Sequence, residues 1–395
     1  MEKLKRWVDD NLQGDRVIWV VVLLMFAISI LVVYSSIGTL AYRRMESPET
    51  YLLKHTMMVV LSLVAMWIAH RIDYRYYSRL AYLGLWISIP LLLYTYKYGD
   101  TINDASRWIT IPFINQSFQP SDFASLMLII NLAGMLARRQ ENIEEVEGAL
   151  FPMLTWTGVI CALIAMSNIS TAILLFITSV LLMFIGRVPV RQLFIMFLMG
   201  GMVALFAYKF SPRVETAINR VQNFIGEEEP AFQVKHSLIA VATGGIAGKG
   251  PGNSDQRNIL PHPYSDFIYS IVIEEYGMIG GVVVLLLYLI LLHRGMKAAY
   301  QSERAFGGLL SAGLSFDLVC QAMVNMGVVV RLGPVTGQPL PLISWGGTAM
   351  IFSGIAVGII LSVSRGERDE AFTQAEQARQ QSKEPDAIIP KTRTV

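Results

Sequence analysis

The chain has 395 residues, of which 53% are hydrophobic and 16% charged, and its formal net charge is +2. An ordinary soluble domain carries about 25% charged residues, so a soluble fold is excluded, and the near-balanced charge gives no reason to expect a nucleic-acid partner. The two cysteines, Cys161 and Cys320, lie inside apolar blocks as small core residues and imply no disulfide framework.

The apolar residues gather in blocks of about 17–25 residues, the length that crosses roughly 30 Å of hydrocarbon. Porin-type strands would give short alternating segments instead. The expected fold is therefore all-α, a polytopic membrane protein with ten transmembrane helices. In chain order the spans are about Val17–Ser36, His55–Ile72, Leu80–Tyr96, Asp122–Ala137, Leu150–Ser167, Thr171–Gly186, Gln192–Phe210, Phe267–Leu292, Phe306–Val330 and Trp345–Val363. The first is too long for the apolar core of a cleaved signal peptide and reads as a signal anchor. The fifth and sixth are split only by "SNIS" (167–170).

Basic residues in short loops mark the cytoplasmic side. One side carries Lys3, Lys5, Arg6 and Arg16, then Arg71, Arg75 and Arg79, Arg138 and Arg139, Arg187 and Arg191, Arg294, Lys297 and Arg304, and Arg365 and Arg368. The short loops opposite carry Arg43, Arg44, Lys54, Lys97, Arg107 and Arg331. Both termini are thus expected in the cytoplasm, with a large extracytoplasmic loop, 211–266, between helices 7 and 8. The expected organisation is a cytoplasmic tail over 1–16, a ten-helix membrane domain over 17–364 and a disordered polar cytoplasmic tail over 365–395. Within the loop, "VETAINRVQNFIG" (214–226) is amphipathic and suggests a helix lying along the membrane surface. The outward segments 97–121, 211–266 and 331–344 are rich in Gly, Pro, Asn or aromatic residues, so function is expected to face outward.

Four segments carry the candidate chemistry. In "NDASRWITIPFINQSFQPSDFASL" (103–126), Arg107 beside Trp108 suits either an interfacial anchor or a phosphate or sugar contact. Its "QPSD" (119–122) reads as a helix start, with Ser121 as the cap and Asp122 in the first turn. The stretch "ATGGIAGKGPGNSDQRNILPHPYSDF" (242–267) lacks the order of a nucleotide-binding loop, because Gly250 follows Lys249 where Ser or Thr is needed. It reads as a flexible loop, or as backbone N–H groups offered to an anion with help from Lys249 and Arg257. At its end, Asp266 reads as a helix cap or as a general base for a hydroxyl at the membrane face. Glu274 and Glu275, about two turns further, are expected to pair inside the bundle or to line a polar cavity. In "NMGVVVRLGPVTGQPLPLISWGGTAM" (325–350), Pro and Gly interrupt apolar sequence. Irregular backbone at membrane depth is tolerated only inside protein or against a cavity, so this loop is expected to dip in beside Asp266. Asp317, Gln321 and Asn325 stand one turn apart in the ninth span, and Asp317 reads as structural. No His or Cys spacing suggests a metal-ligand set.

These four segments together resemble the SEDS family of bacterial cell-wall proteins, whose members are FtsW, RodA and SpoVE. The match runs over about 15–365. It rests on Arg107, Trp108, Ile109, Gln119, Pro120, Ser121 and Asp122; on Gly248, Lys249, Gly250, Gly252 and Ser254; on Leu260, Pro261, Ser265, Asp266, Phe267 and Ile268, followed by Glu274, Glu275 and Gly277; and on Asn325, Gly327, Pro334, Thr336, Gly337, Pro339, Leu340, Pro341, Ser344, Gly346 and Gly347. Within the family the resemblance leans to the division type.

The resemblance implies a glycosyltransferase that polymerises lipid II into β-1,4 glycan strands outside the cytoplasmic membrane during septal wall synthesis. The family's essential carboxylate falls on Asp266, the expected general base. Arg107, Lys249, Ser265, Glu274, Asn325, Thr336 and Ser344 are the expected substrate contacts. A divalent cation, Mg2+ or Mn2+, is a possible helper for the diphosphate leaving group, and no organic cofactor is expected. The implied partners are lipid II, a class B penicillin-binding protein that supplies transpeptidation, and other division proteins. The chain departs from the family at Ser125, where Lys is usual, at Asn168, where an acid is usual, at Asp104 and at Trp345. An elongation-type polymerase, a lipid II flippase with a polar path along Asp317, Gln321, Asn325, Glu274 and Glu275, and a recruiting scaffold are the competing readings.

Overall fold

The computed structural model describes residues 11–38, 47–102, 105–111, 116–140, 150–208, 212–226 and 231–381. Among these the chain is mostly helical. Its helices are α1 (Arg16–Ser36), α2 (Pro48–Arg71), α3 (Tyr77–Tyr98), α4 (Pro120–Arg138), α5 (Phe151–Ala165), α6 (Ile169–Ile185), α7 (Val190–Tyr208), α8 (Pro212–Ile225), α9 (Phe232–Gly244), α10 (Ile268–Gln301), α11 (Ala305–Val329) and α12 (Thr348–Gln381). Every span expected from the sequence falls on one of them. By length and composition α1, α2, α4, α10, α11 and the Thr348–Gly366 part of α12 can each cross a membrane, and α5 and α6 are shorter apolar helices. Large apolar side chains such as Leu23, Leu53, Trp86, Phe184 and Leu286 stand exposed on the outside. That is the surface expected of a multi-pass membrane protein, where lipid replaces water.

The core forms where α4, α10, α11 and α12 meet, around Leu128, Leu132, Tyr288, Leu310 and Val357. Polar bonds between helices add to it. Ser62 donates to the Met350 carbonyl at 2.7 Å, and Ser311 donates to the Gly295 carbonyl at 2.8 Å. Asp15 caps α1 by accepting from the Val17 amide at 2.8 Å, and its other oxygen pairs with Arg294 at 2.5 Å. Asn168 caps α6, which explains why "SNIS" ends one helix and starts the next.

Three differences from the sequence reading have physical causes. First, the expected all-α chain includes a small antiparallel sheet in order β1 (Asp100–Ile102), β2 (Ala105–Ile111), β3 (Gln116–Phe118). Its central strand is the β-branched run Ile109, Thr110, Ile111, which favours extended backbone. Second, Gln119 rather than Ser121 is the cap of α4. Pro120 takes the first helical position, where its missing N–H costs nothing, and Ser121 accepts from the Gln119 amide at 2.8 Å. Third, the tail expected to be disordered from 365 continues α12 to Gln381. The segment "ERDEAFTQAEQARQQ" is rich in strong helix formers, and extending an existing helix carries no nucleation penalty. Residues 1–10 and 382–395 of the expected tails lie outside the described residues. The amphipathic 214–226 segment does form a helix, α8.

Candidate active site

The Gly-rich loop and the start of α10 form one unit. At Gly277 the backbone leaves helical geometry (φ +70°, ψ −173°), and α10 is broken there. The break strands carbonyls and amides that a continuous helix would pair. The loop takes them up: the Lys249 and Gly250 amides each donate at 2.9 Å to the Glu274 and Glu275 carbonyls, and the Met278 amide donates at 2.9 Å to the Gly245 carbonyl. Only glycine fits at Gly277, because an added Cβ would lie 2.1 Å from the Ile246 carbonyl oxygen.

The Glu274 carboxylate is buried and surrounded by donors. It accepts from Lys249 Nζ at 2.7 Å, from the Asp255 and Gln256 amides at 3.2 Å each, and from the Ser254 hydroxyl. Lys249 also bonds Asp255 at 2.8 Å, and these two hydrogen bonds raise its pKa. The loop amides of Lys249 and Gly250 are thus used to splint α10, not offered to an anion. Lys249 and Glu274, expected at the substrate, form a clamp on the loop. Arg257 is likewise engaged, donating to the Ser35 carbonyl at 3.1 Å, while Ser35 bonds Glu275.

Asp266 belongs to a different group. It lies just before α10, half-buried. Its Oδ1 accepts from the Ser265 hydroxyl at 3.0 Å, and its backbone carbonyl accepts from Asn325 Nδ2 at 2.8 Å. Asn325, buried on α11, also donates to the Gln338 carbonyl at 2.7 Å. One amide therefore ties the Asp266 segment to the 331–346 loop. The loop closes a second seam, where Ser344 donates to the Ser265 carbonyl at 2.6 Å and the Trp345 amide donates to the Tyr264 carbonyl at 2.9 Å. The expectation that this loop lies beside Asp266 is met. A Cβ built at Gly337 (φ +64°) would be 3.6 Å from Asp266 Oδ2, so glycine keeps that side of the carboxylate open. Thr336, next to it, is half-buried.

Burial pushes the Asp266 carboxyl above the ordinary carboxylate range; the Ser265 hydrogen bond and the charges of His262, Arg107 and Arg220 oppose that shift. Arg107, on β2, is fixed by an Nε hydrogen bond to the Ser167 carbonyl at 3.2 Å. Arg220 is a member that sequence reasoning missed. It stands on α8 and donates to the Val335 carbonyl at 3.1 Å. The amphipathic pattern of 214–226 revealed the helix, but nothing local showed that its Arg would reach the Asp266 loop. Of the expected site residues, the structure brings Asp266, Ser265, Asn325, Thr336, Ser344 and Arg107 to one place and sets Lys249 and Glu274 apart. Asp317 and Gln321 line a cavity of about 60 Å³ that Glu274, Glu275 and Asn325 do not line. The cavity therefore holds only part of the residues of the flippase reading. No three His, Cys, Asp or Glu side chains gather as a metal-ligand group among them either.

Over residues 15–369 the chain matches the cell cycle protein family of FtsW, RodA and SpoVE. It belongs to that family. A probable peptidoglycan glycosyltransferase FtsW of Geobacter sp. (strain M18) is 30% identical over 369 residues, covering 90% of this chain and 98% of that protein. The probable peptidoglycan glycosyltransferase FtsW of Haemophilus influenzae is 30% identical, over 92% of this chain and 94% of its own. Stage V sporulation protein E of Bacillus subtilis is 29% identical, over 90% and 98%. Among solved structures, a chain of a peptidoglycan synthase complex that coordinates polymerization and crosslinking superposes with a TM-score of 0.73 at 24% identity, covering 90% of this chain and 98% of that one. RodA of Thermus thermophilus superposes with a TM-score of 0.65 at 24% identity, covering 90% and 97%. These two establish the fold, and the family resemblance read from the motifs is borne out.

Proposed function

We propose that this protein is a peptidoglycan glycosyltransferase that joins lipid II units at the outer face of the cytoplasmic membrane. The observation that carries this reading is Asp266. It is a half-buried carboxylate with a raised proton affinity, a single side-chain donor among the described residues, and a face kept open by Gly337. In this reading the acceptor sugar's 4-hydroxyl gives its proton to Asp266 as it attacks the donor's anomeric carbon. The undecaprenyl diphosphate leaves from the opposite face, so an α-linked donor yields a β-1,4 bond. One carboxylate suffices, because the diphosphate leaves without being protonated; hydrolases that expel an alcohol need two. Arg107 and Arg220 supply positive charge near the site for the leaving group. Asn325, Ser265 and Ser344 act by holding Asp266 and its loop in place, and Thr336 is the side chain placed to meet substrate.

The topology that fits this chemistry has ten spans, both termini in the cytoplasm, and 211–266 outside, with α8 and α9 in that loop. The substrate's sugars then meet Asp266 outside while its lipid stays in the bilayer. The partner in this reading is a class B penicillin-binding protein at the division septum, a reading supported by the shared fold with a chain of a complex that couples polymerization to crosslinking.

The test is glycan-strand formation from labelled lipid II by the purified protein with its cognate penicillin-binding protein. Wild type should make polymer, and Asp266→Asn, inserted at equal level, should make none. Equal polymer from both would remove Asp266 as the base.

A further inference from the structure

The cavity of about 60 Å³ lies inside the bundle, among α4, α6, α11 and α12, under the 338–346 loop. Asp122 and Asp317 both line it, with Ser125 and Gln321, and no Lys, Arg or His is in its wall. Asp122 feels the charge of Asp317. Like charges in a confined, weakly polar space oppose joint ionisation. Two buried oxygens facing this space are unsatisfied among the described residues: Asp122 Oδ2 and Ser125 Oγ, the latter on a residue only 6% exposed. Asp317 is oriented by Gln321, whose Nε2 donates to its Oδ2 at 2.9 Å.

All the unsatisfied atoms are oxygens, the ligands that hard cations take. Two ionised carboxylates balance one divalent charge, whereas a monovalent ion leaves one negative charge buried and neutrality without a metal needs both carboxyls protonated. A cation of the Mg2+ type is held by one or two carboxylates and keeps several waters. A space of this size holds more than one water. We propose that this cavity binds one divalent cation of the Mg2+ or Mn2+ class through Asp122 and Asp317, with Ser125 as a neutral ligand. Asp266 is not in its wall. The occupied site acts on Asp266 through the loop: Gln338 lines the cavity, bonds Thr171 at 2.5 Å, and its carbonyl receives Asn325, which also holds the Asp266 carbonyl.

The experiment titrates the full-length purified chain, stripped with chelator, with Mn2+ and reads free Mn2+ by electron paramagnetic resonance. Melting is followed in parallel. Wild type should take up one Mn2+ per chain, displaced by Mg2+, with a raised melting temperature. Asp122→Asn and Asp317→Asn should each weaken uptake at least tenfold. Ser125→Lys should abolish it while still melting cooperatively, because its ammonium fills the space. Asp266→Asn should bind as wild type does. Absence of stoichiometric uptake by wild type would overturn the proposal. So would uptake that survives in both Asp122→Asn and Ser125→Lys, or uptake lost in Asp266→Asn, which would place the ion at the other carboxylate.

Discussion

Asp266 and Glu274 stand eight residues apart, at the entry and in the second turn of one helix, and their surroundings differ completely. Glu274 is fully buried and receives an ammonium, two amides and two hydroxyls. Its lone pairs are occupied, so it has no capacity left for a substrate. Among the described residues, Asp266 has one side-chain donor, a backbone held from behind by Asn325, and a glycine opposite its other oxygen. Saturation makes a carboxylate structural. Incomplete satisfaction in a half-buried place raises its proton affinity and leaves it reactive.

The largest expected effect tests the reactive member. Asp266→Asn should lower polymerisation by roughly 10²–10⁴-fold, the usual worth of a positioned general base, with insertion into the membrane unchanged. A variant within twofold of wild type would erase the contrast. The structural member should fail differently. Glu274→Ala takes the acceptor from the Asp255 and Gln256 amides and the Ser254 hydroxyl, and leaves Lys249 with Asp255 alone. Each buried donor left without its acceptor costs about 1–3 kcal/mol, so the variant should unfold at clearly lower denaturant. Activity per folded molecule should fall far less than in Asp266→Asn.

Much of this contrast could not be read from the sequence. The helices could, because apolar blocks of spanning length have few alternatives, and α8 could, because of its amphipathic repeat. The resemblance singled out Asp266, around which the structure gathers Ser265, Asn325 and Ser344. The role of Lys249 was not legible. Its glycines and its charge suggested an anion cradle, yet those properties serve a helix break at Gly277 that apolar flanking residues conceal. Gly244, Gly248 and Gly277 are needed for the loop and the broken helix to approach, which is a long-range requirement. The sheet at 100–118 was missed because its strands are three to seven residues long and lie between loop residues.

A smaller effect concerns the tether. Asn325 makes two hydrogen bonds, and buried bonds of this kind are worth about 1 kcal/mol each net. Asn325→Ala should therefore reduce kcat roughly tenfold, by letting Asp266 and the 331–346 loop move relative to each other, with KM for lipid II little changed. An unchanged kcat would mean that the Ser344 and Trp345 seam positions Asp266 alone.

The smallest effect is the most diagnostic, because it separates reactivity from stability at one position. The folded protein raises the Asp266 pKa, with burial as the main cause. An unfolded carboxyl titrates near about 3.9. Between that value and the higher folded one, the folded state binds more protons, so stability falls as pH rises through this window and stays lowered above it. Asp266→Asn carries no charge and escapes that loss. The inactive variant should thus melt slightly above wild type at neutral pH, and the difference should vanish as pH falls toward the unfolded value. Wild-type activity should decline on acidification with an apparent pKa above the ordinary carboxylate range, since the base must be ionised to work. A variant that melts below wild type at neutral pH would show that the ionised Asp266 holds the fold together, and it would move this carboxylate into the same class as Glu274.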